Sequence, residues 1–95
     1  MALVRLPSLL AEQAGGRNRF ELDAATVGDA LRVLPVANLI FDEHGELRPL
    51  VNVYVDGTDA REREGLETAL SGSETIRVLQ AVAGGQLTLQ QSVAK

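Results

Sequence analysis

Apolar residues recur along this chain with two periods, and the switches between them predict the order of its elements. From Leu3 to Leu6 the side chains alternate, with Val4 and Leu6 on one face and Leu3 and Arg5 on the other, until Pro7 ends the run. Ser8 to Gln13 has the length of a short helical turn. Gly15-Gly16 then turns the chain, and Arg17 to Leu22 alternates again with Phe20 and Leu22 facing the same way. Two strands joined in this manner predict an amino-terminal hairpin. Thr26 stands three residues before Asp29 and ahead of Val27, Ala30, Leu31 and Leu34, the spacing of a capped helix with one apolar face. Pro35 stops it.

Val36 to Glu46 is mixed in content and predicts a loop, with Leu39, Ile40 and Phe41 tucked partly into the core and Asp42 to Gly45 as a turn. Leu50 to Asp56 is the clearest strand, with Val51, Val53 and Val55 on one face and Leu50, Asn52 and Tyr54 on the other. Pro49 has no N–H and marks its start or an unpaired edge. Asp56-Gly57 is a hairpin signal that leads to a short strand from Thr58 to Arg61, and the charged run Arg61 to Glu64 reads as a solvated loop. Leu66 to Leu70 is long enough for one helical turn, and Ser71-Gly72-Ser73 turns the chain into a last strand from Thr75 to Ala81. The order predicts an α+β domain, a mixed sheet of four to five strands packed on one main helix. The last strand lying beside the first is its natural closure.

Length and composition narrow the functional classes. A chain of 95 residues supports one core and one domain. Its hydrophobic share of 45% and charged share of 23% are those of an ordinary globular domain. No stretch approaches the roughly 18 apolar residues of a membrane span. Met1 to Pro7 lacks the cationic start and long apolar segment of a secretory signal, so a cytoplasmic location is expected. The absence of cysteine excludes disulfides, thiolate metal sites and thiol nucleophiles. A net charge of -4, basic residues scattered along the sequence, and only Phe20, Phe41 and Tyr54 as aromatics argue against nucleic acid as a partner. A mildly acidic domain matches a basic patch on a protein.

Candidate chemistry is sparse. His44 is the only histidine and shares its loop with Asp42, Glu43 and Glu46, but a metal site needs several ligands in a definite geometry, and a solvated loop is the expectation. No serine has a motif that pairs it with that histidine, so the domain is not expected to be an enzyme. The informative feature is Gly84-Gly85, directly after the last predicted strand. Glycine suits a backbone that must thread a narrow channel, because it has no Cβ. A second pair, Gly15-Gly16, shows that the dipeptide alone means little; its place after the final strand gives it meaning.

Three segments resemble the ThiS/MoaD family of β-grasp, ubiquitin-like sulfur carriers, a likeness that spans residues 2 to 85. They are Leu50-Val51-Asn52-Val53-Tyr54-Val55-Asp56-Gly57, similar to the family's central strand and turn; Leu66 to Leu70 with Ser71-Gly72-Ser73-Glu74-Thr75-Ile76, similar to its leucine-rich turn and acidic lead-in to the last strand, here with serines in the aspartate places; and Val78-Leu79-Gln80-Ala81-Val82-Ala83-Gly84-Gly85, similar to its closing strand and tail. Gln80 stands where a proline is common, and the Val82 to Gly85 ending most resembles carriers that serve a cysteine synthase.

The resemblance implies a β-grasp domain over residues 1–85 and chemistry done on the protein rather than by it. A ubiquitin-activating-type adenylyltransferase would use ATP to adenylate the Gly85 carboxylate, and sulfur would displace AMP to leave a thiocarboxylate for a sulfur-accepting biosynthetic enzyme. This chain itself would bind no cofactor. Val82, Ala83 and Gly84 would enter the partner's active site. Residues 86–95 depart from that plan, because Gly85 is an amide while they remain. They are expected to form a flexible extension removed at the Gly85-Gln86 junction by a JAMM-type metalloprotease. Leu50, Tyr54 and Leu79 are either a partner surface or packed against the loop at Leu39 to Phe41. A protein modifier conjugated through Gly85 and an interaction module whose tail is never cut are the competing functions.

Overall fold

In the computed structural model, which describes residues 1–80, five strands form one sheet in the order β2-β1-β5-β3-β4. The strands are β1 (Ala2–Arg5), β2 (Arg19–Leu22), β3 (Val51–Val55), β4 (Thr58–Asp59) and β5 (Thr75–Gln80). β1 and β2 form the expected antiparallel hairpin, and β5 runs parallel to β1 and antiparallel to β3, so the last strand occupies the centre. Ala81, predicted as the end of the last strand, lies outside the described residues.

Alternation builds the core. Ala2, Val4, Val51, Val53, Val55, Ile76 and Val78 all face one side and are at most 5% exposed. That side is covered by α1 (Ser8–Gln13), α2 (Val27–Arg32) and α3 (Ala37–Ile40), which supply Leu10, Ala11, Val27, Ala30, Leu31 and Ile40 to the same cluster. The covering layer is thus shared among short helices. α2 begins as the spacing predicts, with the Thr26 hydroxyl accepting a hydrogen bond from the Asp29 N–H at 3.2 Å. Gly28 lets α2 approach its neighbour closely: a Cβ there would sit 3.1 Å from the Leu66 carbonyl oxygen.

Two segments differ from the sequence expectation. The predicted loop from Val36 to Glu46 contains α3, and Ile40 and Phe41 are fully within the core rather than partly tucked into it. The strand predicted to reach Arg61 stops at Asp59, because the Asp59 carboxylate accepts the Arg61 backbone N–H at 2.9 Å and turns Ala60–Glu62 into a 3-10 helix. Asp59 also pairs with the Arg61 guanidinium at 2.7 Å, so the charged run begins with an ion pair. Leu66 falls in a second 3-10 turn, Gly65–Glu67, after which Ala69 bridges Thr26.

The β3-β4 connection is the tight hairpin read from Asp56-Gly57, both residues having positive φ, 48° and 85°. Asp56 also fixes β5. Its carboxylate accepts the Thr75 N–H at 2.9 Å, and its own N–H donates to the Thr75 carbonyl at 2.9 Å.

Candidate functional site

β5 carries the chain from the core to the segment in which the sequence places the candidate Gly84-Gly85. Its last residue, Gln80, pairs with Val51, and Gly85 is the fifth residue after it. Even fully extended, that link reaches only about 17 Å, which bounds the distance of Gly85 from the end of β5. Val82, Ala83, Gly84, Gly85 and Gln86 lie outside the described residues.

The lead-in to β5 is held by one carboxylate. Glu74 accepts hydrogen bonds from the backbone N–H groups of Ser71 at 2.8 Å, Gly72 at 3.0 Å and Ser73 at 3.1 Å, and from the Ser71 hydroxyl at 3.0 Å. These donors, the Ser71 N–H first among them, hold its carboxyl down to about 2. The Glu74 carbonyl meanwhile accepts the Leu3 N–H at 2.9 Å, joining the turn to β1.

The open face of the sheet is where the predicted partner residues fall. Leu79 lies opposite Asn52 in the β3-β5 ladder, and Tyr54 lies opposite Arg77. Leu50 immediately precedes β3 and is 41% exposed, Leu79 is 37% exposed, and Tyr54 is half-buried. Ile40 and Phe41 belong to the core cluster, and Leu39 is partly buried against it. Two clefts flank the end of β5, one lined by Arg5, Leu6, Pro7, Arg77, Val78 and Leu79, the other by Leu9, Leu10, Gln13, Leu39, Arg48 and Gln80.

One feature of this face is invisible in the linear sequence. Arg19 lies opposite Arg5, and Arg5 opposite Arg77, so residues scattered along the chain become a row of three exposed arginines across β2, β1 and β5. Each strand segment shows an arginine at a polar position, but only the register makes them neighbours.

The remaining polar clusters are structural. Asp42 Oδ1 accepts the N–H groups of His44 at 2.8 Å and Glu46 at 3.0 Å, which closes the His44 loop and holds the Asp42 carboxyl below its usual value, the Glu46 donor most strongly. Among the described residues no group of three or more His, Asp or Glu side chains is arranged to hold a metal. Nor is any helix among them long and apolar enough to cross a membrane.

Comparison with known proteins gives the same family as the motifs. The sulfur carrier protein CysO of Mycobacterium tuberculosis is 30% identical over 89 residues, covering 86% of this chain and 96% of that protein. Small archaeal modifier protein 3 of Haloferax volcanii is 41% identical over 69 residues, 66% of this chain and 73% of the relative. Among solved structures, the Amycolatopsis orientalis BexX/CysO complex contains a chain that superposes with a TM-score of 0.75 at 30% identity, covering 90% of this chain and all of that one. These relatives are small sulfur carriers and ubiquitin-like proteins, not catalysts themselves. The ThiS family model matches residues 4–85, and this β-grasp chain belongs to the ThiS family.

Proposed function

We propose that the protein is the precursor of a sulfur carrier whose working end is the Gly85 carboxylate. The observation that supports this most directly is that the match to the ThiS family stops at Gly85, ten residues before the end of the sequence. Hydrolysis by a JAMM-type metalloprotease adds water across the Gly85-Gln86 bond and releases residues 86–95. The freed carboxylate attacks the α-phosphorus of ATP on a ubiquitin-activating-type enzyme, releasing pyrophosphate and forming an acyl-adenylate. Sulfide sulfur then adds to the acyl carbon and AMP leaves, giving the thiocarboxylate. ATP is the partner's substrate, and the carrier holds no cofactor. Thioacid sulfur is then passed to a biosynthetic enzyme in the cytoplasm.

The carrier's contribution is binding energy applied away from the reacting atom. The body docks, and Val82, Ala83 and Gly84 lead Gly85 into the partner's active site, converting the reaction to one within a complex. Intact-mass analysis of protein from its own host tests this. A species ending at Gly85 and about 16 Da heavier than its carboxylate form is expected, since sulfur replaces one oxygen. Gly85→Ala should abolish that species, and equal sulfur loading in the variant refutes the reading.

The likeness to a small archaeal modifier favours one further reading, conjugation of Gly85 to lysines of other proteins. The only lysine of this chain is Lys95, inside the segment to be removed, so the mature body offers no lysine to a second copy. Adducts would therefore appear on foreign proteins, never as chains of the carrier, and isopeptide-linked bands on a gel distinguish conjugation from release of small sulfur products.

A further inference from the structure

We infer that the Arg5-Arg77 edge of the open face is the docking surface for an acidic strip on the enzyme that adenylates Gly85. The inference rests on the carrier reading above and adds the chemistry by which the partner is recognised. Three observations carry it. The first is position. Arg77 and Leu79 are within three residues of Gln80, and they line a cleft with Arg5, Leu6 and Pro7. Because Gly85 cannot lie more than about 17 Å from Gln80, the enzyme that receives it has to cover this end of the sheet.

The second is charge. Arg19, Arg5 and Arg77 stand on adjacent strands, which are about 5 Å apart, and none has an ion-pair partner among the described residues. Like charges directly opposite each other are unfavourable in a ladder, so the row weakens the fold locally without a compensating ion pair among the described residues. Conflicts of that kind are expected where a surface serves a partner. The third is contrast with the rest of the molecule. The chain carries a net charge of -4, yet on this face the row of three arginines outnumbers the strand carboxylates, Glu21 opposite Leu3 and Asp59 opposite Tyr54, and removal of Lys95 with the tail makes the remainder more acidic. A basic row on an acidic body orients the carrier in the field of an acidic partner and speeds productive encounter. The partner chemistry expected from net charge alone, a basic patch, is reversed at this face.

The guanidinium pair flanking the cleft suits carboxylates, which it can grip in a planar, forked geometry. Leu79, partly exposed beside it, supplies an apolar contact at the centre of the docked surface.

The test uses residues 1–85 and the adenylating enzyme purified from the protein's own host by its carrier-dependent release of pyrophosphate from ATP. For Arg5→Glu and for Arg77→Glu the KM of the carrier should rise by about tenfold, with kcat changed by less than about twofold. The wild-type KM should rise with salt, and the variants' KM should rise less. Arg63→Glu changes net charge equally on an exposed residue away from the cleft and should leave KM unaltered. The new glutamate in Arg5→Glu lies between Arg19 and Arg77, so its melting temperature should equal or exceed the wild type's, which separates lost docking from lost folding. Arg77→Gln, which removes charge without reversing it, should raise KM by about threefold and serves if a reversal fails to fold. An unchanged KM in Arg5→Glu and Arg77→Glu overturns the inference while leaving the carrier reading intact. So does weakened retention on an RNA column at constant KM, which would make the row a polyanion site. If wild-type 1–85 supports no pyrophosphate release, the carrier reading falls and the inference with it.

Discussion

The two faces of the sheet are made from alternate residues of the same strands, and they contrast in chemistry and in what they contribute. On the covered face Val4, Val55, Ile76 and Val78 are at most 1% exposed and packed against α1, α2 and α3. On the open face their neighbours in sequence, Leu3, Arg5, Arg77 and Leu79, include two exposed arginines and an exposed leucine. The covered face gains apolar burial on the order of 1.5–3 kcal/mol per large side chain, which drives folding. The open face gains little, and its like charges in register oppose folding slightly. One face therefore specifies the fold and leaves the other free to be specified by a partner.

Substitutions three residues apart on β5 break this comparison most sharply. Ile76→Ala deletes buried atoms from the covered face and should lower the unfolding free energy by about 2–5 kcal/mol. Leu79→Ala on the open face should lower it by less than about 0.5 kcal/mol. Urea denaturation measures both, with m unchanged if only stability has moved. In the adenylation assay the order reverses, Leu79→Ala raising the carrier's KM and folded Ile76→Ala leaving it alone. Equal stability losses would mean that Leu79 belongs to a core.

A smaller effect is expected where the covered face depends on a helix end. Thr26→Ala removes the hydroxyl that accepts the Asp29 N–H and should cost about 1 kcal/mol by the same measurement. It should not touch the KM, because α2 lies behind the sheet. A changed KM would join the two faces functionally, contrary to their separation here.

Much of the covered face is legible in the sequence. Val51, Val53 and Val55 announce a half-buried strand by alternation alone, Thr26 with Asp29 announces the start of α2, and Asp56-Gly57 announces the hairpin. These signals are local, and local chemistry decides them. The open face is legible only in part. Leu50, Tyr54 and Leu79 can be assigned to it from alternation, but the arginine row needs Arg5, Arg19 and Arg77 to be brought into register by pairings that span most of the chain. The early end of β4 and the whole of α3 escape the periodic reading for a different reason. The Asp59 carboxylate captures the Arg61 N–H and ends the strand, and α3 has four residues, little more than one helical turn. The chemistry proposed for the tail rests on the diglycine and its place in the sequence after β5, which no packing argument could supply.

The assignment of residues to faces depends finally on the phase of β5, since a slip of one residue would exchange Arg77 and Leu79 with Ile76 and Val78. Glu74 helps to set that phase, its side chain gathering the N–H groups of Ser71, Gly72 and Ser73 while its carbonyl accepts the Leu3 N–H. The carboxyl's affinity for a proton falls on folding, from an ordinary value of 4.5 to about 2. A group depressed in this way stabilises the fold above its unfolded pKa, and that contribution is lost as pH falls through the folded one. The wild-type melting temperature should therefore decline between about pH 4.5 and pH 2. Asp42 and Asp59, held low by backbone N–H groups and by Arg61, add declines of the same sign in both proteins compared. Glu74→Gln, with no charge to lose and an amide group directed at N–H donors, should melt lower at neutral pH and converge on the wild type at the acid end. Hydrogen exchange at the Leu3 amide should quicken in the variant at neutral pH, as the turn that presents the Glu74 carbonyl loosens. Parallel melting profiles down to pH 2 would show that the carboxylate does not hold β5 in phase, and the separation of the two faces would then rest on the Asp56-Thr75 pair and the burial of Ile76 and Val78.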